Sequence, residues 1–212
     1  MKRLILIGSG GHAAELRDYI RHNNQLSERE PIEVLGYIDD DSSSYEHYGF
    51  EEPFLGDIQN HIVRYDCEYL MAIANLKYRK PIIEDFLERR AKLTGFIHPT
   101  AIISPSAEID PTVVISHNAS VGPKVRIGRF NMLNSRCTIG HDTLIGDFNF
   151  ISPQVALSGN TKIGNGNLLG TNSATVPGVE IGNHNVVGAG TIIFRNVDSN
   201  KTIVPGAKPR IL

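Results

Sequence analysis

Two hydrophobic periods divide this chain. Up to about residue 95, short apolar runs alternate with helix-like spacing. Residues 4–7 (LILI) form an unbroken apolar run, as in a strand buried on both faces. The turn GSGGHA (8–13) follows. Ala13, Leu16 and Ile20 then recur at helical intervals, with Glu15, Arg17 and Asp18 on the opposite face. A second strand is predicted over 33–38, ending at Asp39, Asp40 and Asp41, and a third over 68–74, ending at Asn75. Pro81 is the expected opener of a further helix, in which Ile82, Ile83, Phe86 and Leu87 pair at i,i+4. This order predicts a small Rossmann-like βαβ domain over 1–95.

Beyond it the period becomes six. Stepping by six from Ile97 to Ile193 meets seventeen positions, of which sixteen are aliphatic and one is Thr175. Chance does not produce that series. A hexapeptide repeat predicts a parallel β-helix, three hexads to a triangular coil, with the aliphatic side chain inside. The residue after the aliphatic is usually Gly, and the next is Pro six times, from Pro99 to Pro177. These two places are read as the corner, with Gly supplying unusual dihedrals and Pro fixing φ. Small or β-branched residues four places on (Ala107, Val113, Ala119, Val125, Thr143) are expected to fill the interior. About five coils result, in a domain spanning 96–212, with the α/β domain capping one end and the tail from Asn196 closing the other.

Composition narrows the function. A net charge of -2 gives no reason to expect nucleic acid or an anionic membrane as partner. No apolar run approaches the ~20 residues of a membrane span, and the first one, Leu4 to Ile7, is too short for a signal peptide, so a cytoplasmic location is expected. Cys67 and Cys137 lack metal or redox spacing and are read as buried thiols. No metal site is expected.

His141, in TIGHDTLIG, falls at a solvent-facing corner and so is not a core residue. Either it is surface decoration, like His117, or it does chemistry. A neutral imidazole can take the proton of an attacking amine, and a carboxylate at Asp142 can orient the ring if the corner turns it back. The GSGGHA turn sits between strand and helix, where backbone N–H groups and a helix N-terminus hold phosphate. Three readings stand for it: a nucleotide-sugar diphosphate site, a bare structural turn, and an NAD site. Arg79 or Lys80 and the tail cations Lys201, Lys208 and Arg210 are candidate phosphate partners, or plain surface charge.

The hexads, with GSGGHA and GYIDDD, resemble the sugar O/N-acetyltransferase family that includes sialic acid O-acetyltransferases. Nearly the whole chain is similar to the branch that acetylates the 4-amino group of UDP-linked 4-amino-4,6-dideoxy-N-acetylhexosamines. The resemblance implies a left-handed β-helix, acetyl-CoA as co-substrate and a homotrimer whose sites lie between neighbouring chains. It implies His141 as general base with Asp142, where the family often has Glu. Asn134 would meet the sugar amine. Gly10, Gly11 and His12 would meet the sugar nucleotide, and Asp39 and Asp40 its uridine end. Coenzyme contacts map onto Gly159, Thr171 and Ala189, and onto Phe150, where relatives carry His. O-acetylation of a sugar and a non-catalytic nucleotide-sugar-binding trimer are the competing readings.

Overall fold

The computed structural model describes residues 1–26 and 28–205. Its contacts divide the chain into two units, Met1–His98 and Pro99–Leu212.

In the first unit β1 (Lys2–Ile7), α1 (Gly11–Asn24), β2 (Ile32–Ile38), α2 (Ser42–Tyr48), β3 (Glu68–Met71), α3 (Leu76–Glu88) and β4 (Leu93–Thr94) follow one another. The four strands form one parallel sheet in the order β2-β1-β3-β4. Residues 4–7 are fully buried, as the apolar run requires. The chain steps to one side of β1 to make β2 and to the other to make β3. The strand order therefore reverses beside the C-terminal end of β1, where open α/β sheets hold ligands.

Two local expectations change. Strand β3 ends at Met71, and α3 begins at Leu76, well before Pro81. The Asn75 side chain accepts from Lys77 N at 3.0 Å and so caps the helix, leaving Pro81 inside it. Residues 42–48, where the apolar pattern predicts no element, form α2: Asp41 accepts from Ser43 N at 2.9 Å at one end, and Gly49 closes the other at φ 54°.

The second unit is a parallel β-solenoid of two-residue strands. Strands eighteen residues apart pair in register, so Thr138–Ile139 lies between Ser120–Val121 and Ala156–Leu157. The coils number about six, one more than the hexads suggested. After residue 193 the repeat shortens, and Thr202–Ile203 pairs with Val186–Val187 at a spacing of sixteen.

The corner also differs from its sequence reading. Left-handed dihedrals fall three places after the aliphatic, among them Asn118, Lys124, Phe130, Arg136, Asp142 and Asn160, these six with φ of 55–59°. The glycines just after the aliphatic serve close stacking instead. A Cβ on Gly140 would meet Gly159 N of the next coil at 2.5 Å.

Aliphatic side chains from all three sheets fill the interior. Four places after Ile127, Ile145, Ile163 and Ile181, the small residues give way to a column of buried asparagines: Asn131, Asn149, Asn167 and Asn185. Asn131 Oδ1 accepts from Asn149 N at 2.8 Å and from Asn149 Nδ2 at 3.0 Å. Asn149 Oδ1 does the same for Asn167. Asparagine fits because its side chain meets the backbone of the adjacent coil, so burial leaves those groups paired.

Candidate active site

Strand Thr138–Ile139 delivers the chain to a corner at Gly140, His141 and Asp142. The left-handed φ of 56° at Asp142 folds its side chain back. Asp142 Oδ2 then lies 2.8 Å from His141 Nδ1. Adjacent residues of a straight strand point to opposite faces, so this pair depends on the corner. Both side chains are exposed, His141 by 60%. With Nδ1–H donating to the carboxylate, Nε2 is left as the acceptor of the neutral ring. The ring lies over Gly159 of the next coil, where a Cβ would be 2.5 Å from Nε2 and 2.6 Å from Cε1. Only glycine leaves room for the imidazole there.

The first unit holds a cavity of about 640 Å³ at the C-terminal ends of β1, β2 and β3. Gly10, Gly11, His12, Asp39 and Asp40 all line it, together with Asn75 and Tyr78. Gly10 starts α1 with no side-chain cap, so the first N–H groups of that helix have no side-chain acceptor at the N-cap. His12 Nδ1 lies 3.3 Å from Glu15 Oε2, while Nε2 is buried without a partner. Asp39 Oδ2 accepts from Ser9 N at 2.6 Å and from Ser9 Oγ at 2.9 Å. That clamp shapes the glycine turn. Asp40 Oδ1 accepts from Ile58 N at 2.9 Å.

Two family models match this chain. Residues 3–86 match the PglD N-terminal domain and residues 160–195 the bacterial transferase hexapeptide repeats. The chain thus carries a PglD-type N-terminal domain followed by repeats of the bacterial transferase hexapeptide kind. Among solved structures it is similar to the acetyltransferase domain of PglB from Neisseria gonorrhoeae in complex with acetyl coenzyme A. There the identity is 28%, the TM-score is 0.84, and 99% of each chain is covered. PerB from Caulobacter crescentus, in complex with CoA and GDP-perosamine, is 22% identical over 96% of this chain and 94% of that one, with a TM-score of 0.78. WeeI from Acinetobacter baumannii is 21% identical over the whole of both chains, with a TM-score of 0.80. No curated protein sequence matches the chain. The solenoid is the left-handed β-helix these structures share.

The remaining candidates fall on a different corner of the coil. Asn134 lies directly after a strand of the neighbouring sheet and is buried. Thr171 and Ala189 follow at the same corner on higher coils, joined by Gly190 N donating to Thr171 O at 2.8 Å. Phe150 lies on a strand leading to that corner. His141, Asp142 and Gly159 therefore cluster, while Asn134, Thr171 and Ala189 stand one side of the prism away. Lys201 is exposed in the last coil, and Lys208 and Arg210 lie outside the described residues. Arg79 is buried with Nε and Nη1 unpaired, and burial lowers its pKa to about 10. Lys80 pairs with Glu84 at 3.6 Å.

Three relationships show only in the folded chain. Gly159 is a coenzyme contact by the resemblance, but its place against the His141 ring needs the stacked coils. Ser9 is an ordinary turn residue until Asp39 reaches it. Thr175 was visible as the single break in the aliphatic series, but its partners are set by coil stacking. Among the described residues, no three His, Cys, Asp or Glu side chains group to hold a metal, and no helix is long and apolar enough to cross a membrane.

Proposed function

We propose that this transferase moves the acetyl group of acetyl-CoA to the 4-amino group of a UDP-linked 4-amino-4,6-dideoxy-N-acetylhexosamine. One observation carries the reading: an exposed imidazole oriented by a carboxylate at 2.8 Å, its free nitrogen over a backbone glycine. The similar PglB domain, which holds acetyl coenzyme A, supports the donor.

In this mechanism the amine nitrogen attacks the thioester carbonyl carbon while His141 Nε2 takes an amine proton. Asp142 stabilises the imidazolium. Gly159 N–H makes no hydrogen bond among the described residues and donates to the oxyanion as it forms. The intermediate collapses, the C–S bond breaks, and the imidazolium returns the proton to the leaving thiolate. Products are the amide and CoA.

The glycine-turn cavity binds the nucleotide carrier. Phosphate meets the N-terminus of α1, and His12 Nε2 gains the partner it lacks. Asp39 and Asp40 bound the nucleoside end. The separation of His141 and Gly159 from Thr171 and Ala189 supports a homotrimer, in which the corner of one chain faces the other corner of its neighbour across the coenzyme. The enzyme works in the cytoplasm, on cytoplasmic acetyl-CoA.

A thiol-release assay tests the reading. Acetyl-CoA is supplied with the UDP-4-amino sugar, then with hydroxyl acceptors. Free CoA appearing only with the amine supports it; release with a sugar hydroxyl instead points to O-acetylation. No release with any acceptor leaves a binding protein.

A further inference from the structure

Thr175 interrupts an otherwise aliphatic series and is 5% exposed. Its hydroxyl belongs to a closed ring of hydrogen bonds around Ser158. Ser158 N donates to Thr175 Oγ1 at 3.0 Å, and Thr161 Oγ1 donates to Ser158 O at 2.7 Å. The two threonine hydroxyls lie 3.0 Å apart. Each hydroxyl has one proton, and that of Thr161 goes to Ser158 O, so Thr175 donates to Thr161. Ser158 Oγ in turn donates to Thr175 O at 2.6 Å, and Thr143 Oγ1 reaches Ser158 O at 3.4 Å. Thr143 and Thr161 are fully buried.

The ring fixes a direction. Ser158 O accepts from hydroxyls inside the solenoid, so its carbonyl points inward. The peptide bond to Gly159 is trans, since no peptide bond among the described residues is cis. In a trans peptide, C=O and N–H point in opposite directions. Gly159 N–H therefore points outward, at the corner where His141 Nε2 lies over Gly159.

We propose that Thr175, acting through Thr161 and Ser158, is a positioning residue that holds Gly159 N–H outward as the donor to the acyl oxygen. The proposal rests on the acyl-transfer reading above. Thr175 touches no reacting atom. It sets the plane of one peptide.

Two substitutions pull packing and hydrogen bonding apart. Thr175→Val keeps the shape and restores the aliphatic series but removes the hydroxyl. Thr175→Ser keeps the hydroxyl and loses the methyl group. A packing role makes Ser the more damaging change; the positioning role makes Val so. Folding is checked by circular dichroism. With Thr175→Val, kcat falls about 10- to 100-fold while KM for acetyl-CoA stays within about twofold, approaching the loss of an oxyanion donor. With Thr175→Ser, kcat stays within about threefold of wild type. Two-dimensional NMR of substrate-free protein gives a readout independent of turnover: the Gly159 amide signal moves in Thr175→Val and holds in Thr175→Ser. A folded Thr175→Val protein with wild-type kcat, or an unmoved Gly159 amide, overturns the proposal. A Gly159 amide that moves in a protein releasing CoA to no acceptor keeps the positioning and removes the acyl-transfer reading instead.

Discussion

His141 Nδ1 and Asp142 Oδ2 lie 2.8 Å apart although the residues are neighbours in the chain, because Asp142 takes a left-handed φ of 56°. The corner thus does two jobs: it turns the coil and it orients the imidazole. Asn tolerates this backbone conformation and keeps an acceptor oxygen, so Asp142→Asn preserves the turn but removes the charge. We expect kcat to fall about tenfold or more, the scale of roughly one charge interaction, with the thermal midpoint within a few degrees of wild type. Unchanged turnover would remove Asp142 from the mechanism.

Gly159→Ala places a methyl group 2.5 Å from His141 Nε2. The ring is exposed on its other side and can swing away, so the coil tolerates the change. Its catalytic geometry does not. A loss in kcat of about 100-fold is expected, the scale of a misplacement of about 1 Å, with stability altered by less than about 1 kcal/mol. Kinetics alongside thermal melts separate the two effects.

The asparagine column predicts a stability loss of another kind. Asn149 bonds to Asn131 below, and its Oδ1 accepts from both N and Nδ2 of Asn167 above. Asn149→Leu fits by volume yet strands the buried N and Nδ2 donors of Asn167 and takes a donor from the acceptors Asn131 Oδ1 and Gly164 O. Each unpaired group costs about 1–3 kcal/mol. A denaturant midpoint lowered by less than about 2 kcal/mol equivalent would show that the column is replaceable.

Cys137 tests the absence of a covalent acyl-enzyme. Burial pushes its thiol pKa up to about 12, and burial raises that of Cys67 as well. At pH 8 Cys137 stays protonated, and the thiolate is the reactive species. Native protein should leave both thiols unlabelled by a disulfide reagent at pH 8 and expose both in denaturant. Cys137→Ala should retain acetyl transfer. Rapid native labelling of Cys137, or an inactive but folded Cys137→Ala protein, contradicts this.

Much of the fold was legible because period six is long and nearly unbroken, from Ile97 to Ile193. The α/β unit was legible in its strands, whose apolar runs mark them. Its helix starts were less so: Asn75 outweighed Pro81 through a capping bond that only the folded turn displays. The role of the corner glycines was misread for a physical reason. A requirement for space against the next coil and one for unusual dihedrals select the same residue, and only stacking distinguishes them. The exposure of His141 followed from register alone. Its partnership with Asp142 needed the dihedral, and the position of Gly159 beneath it needed the coil above.

The measurement that bears most directly on the acyl-transfer reading is steady-state CoA release by His141→Asn with acetyl-CoA and the UDP-4-amino sugar. With the imidazole acting as general base, kcat falls by about 10²–10⁴, while KM for acetyl-CoA changes little and the protein keeps the melting profile of wild type. Turnover by the folded His141→Asn protein within a few-fold of wild type would contradict it.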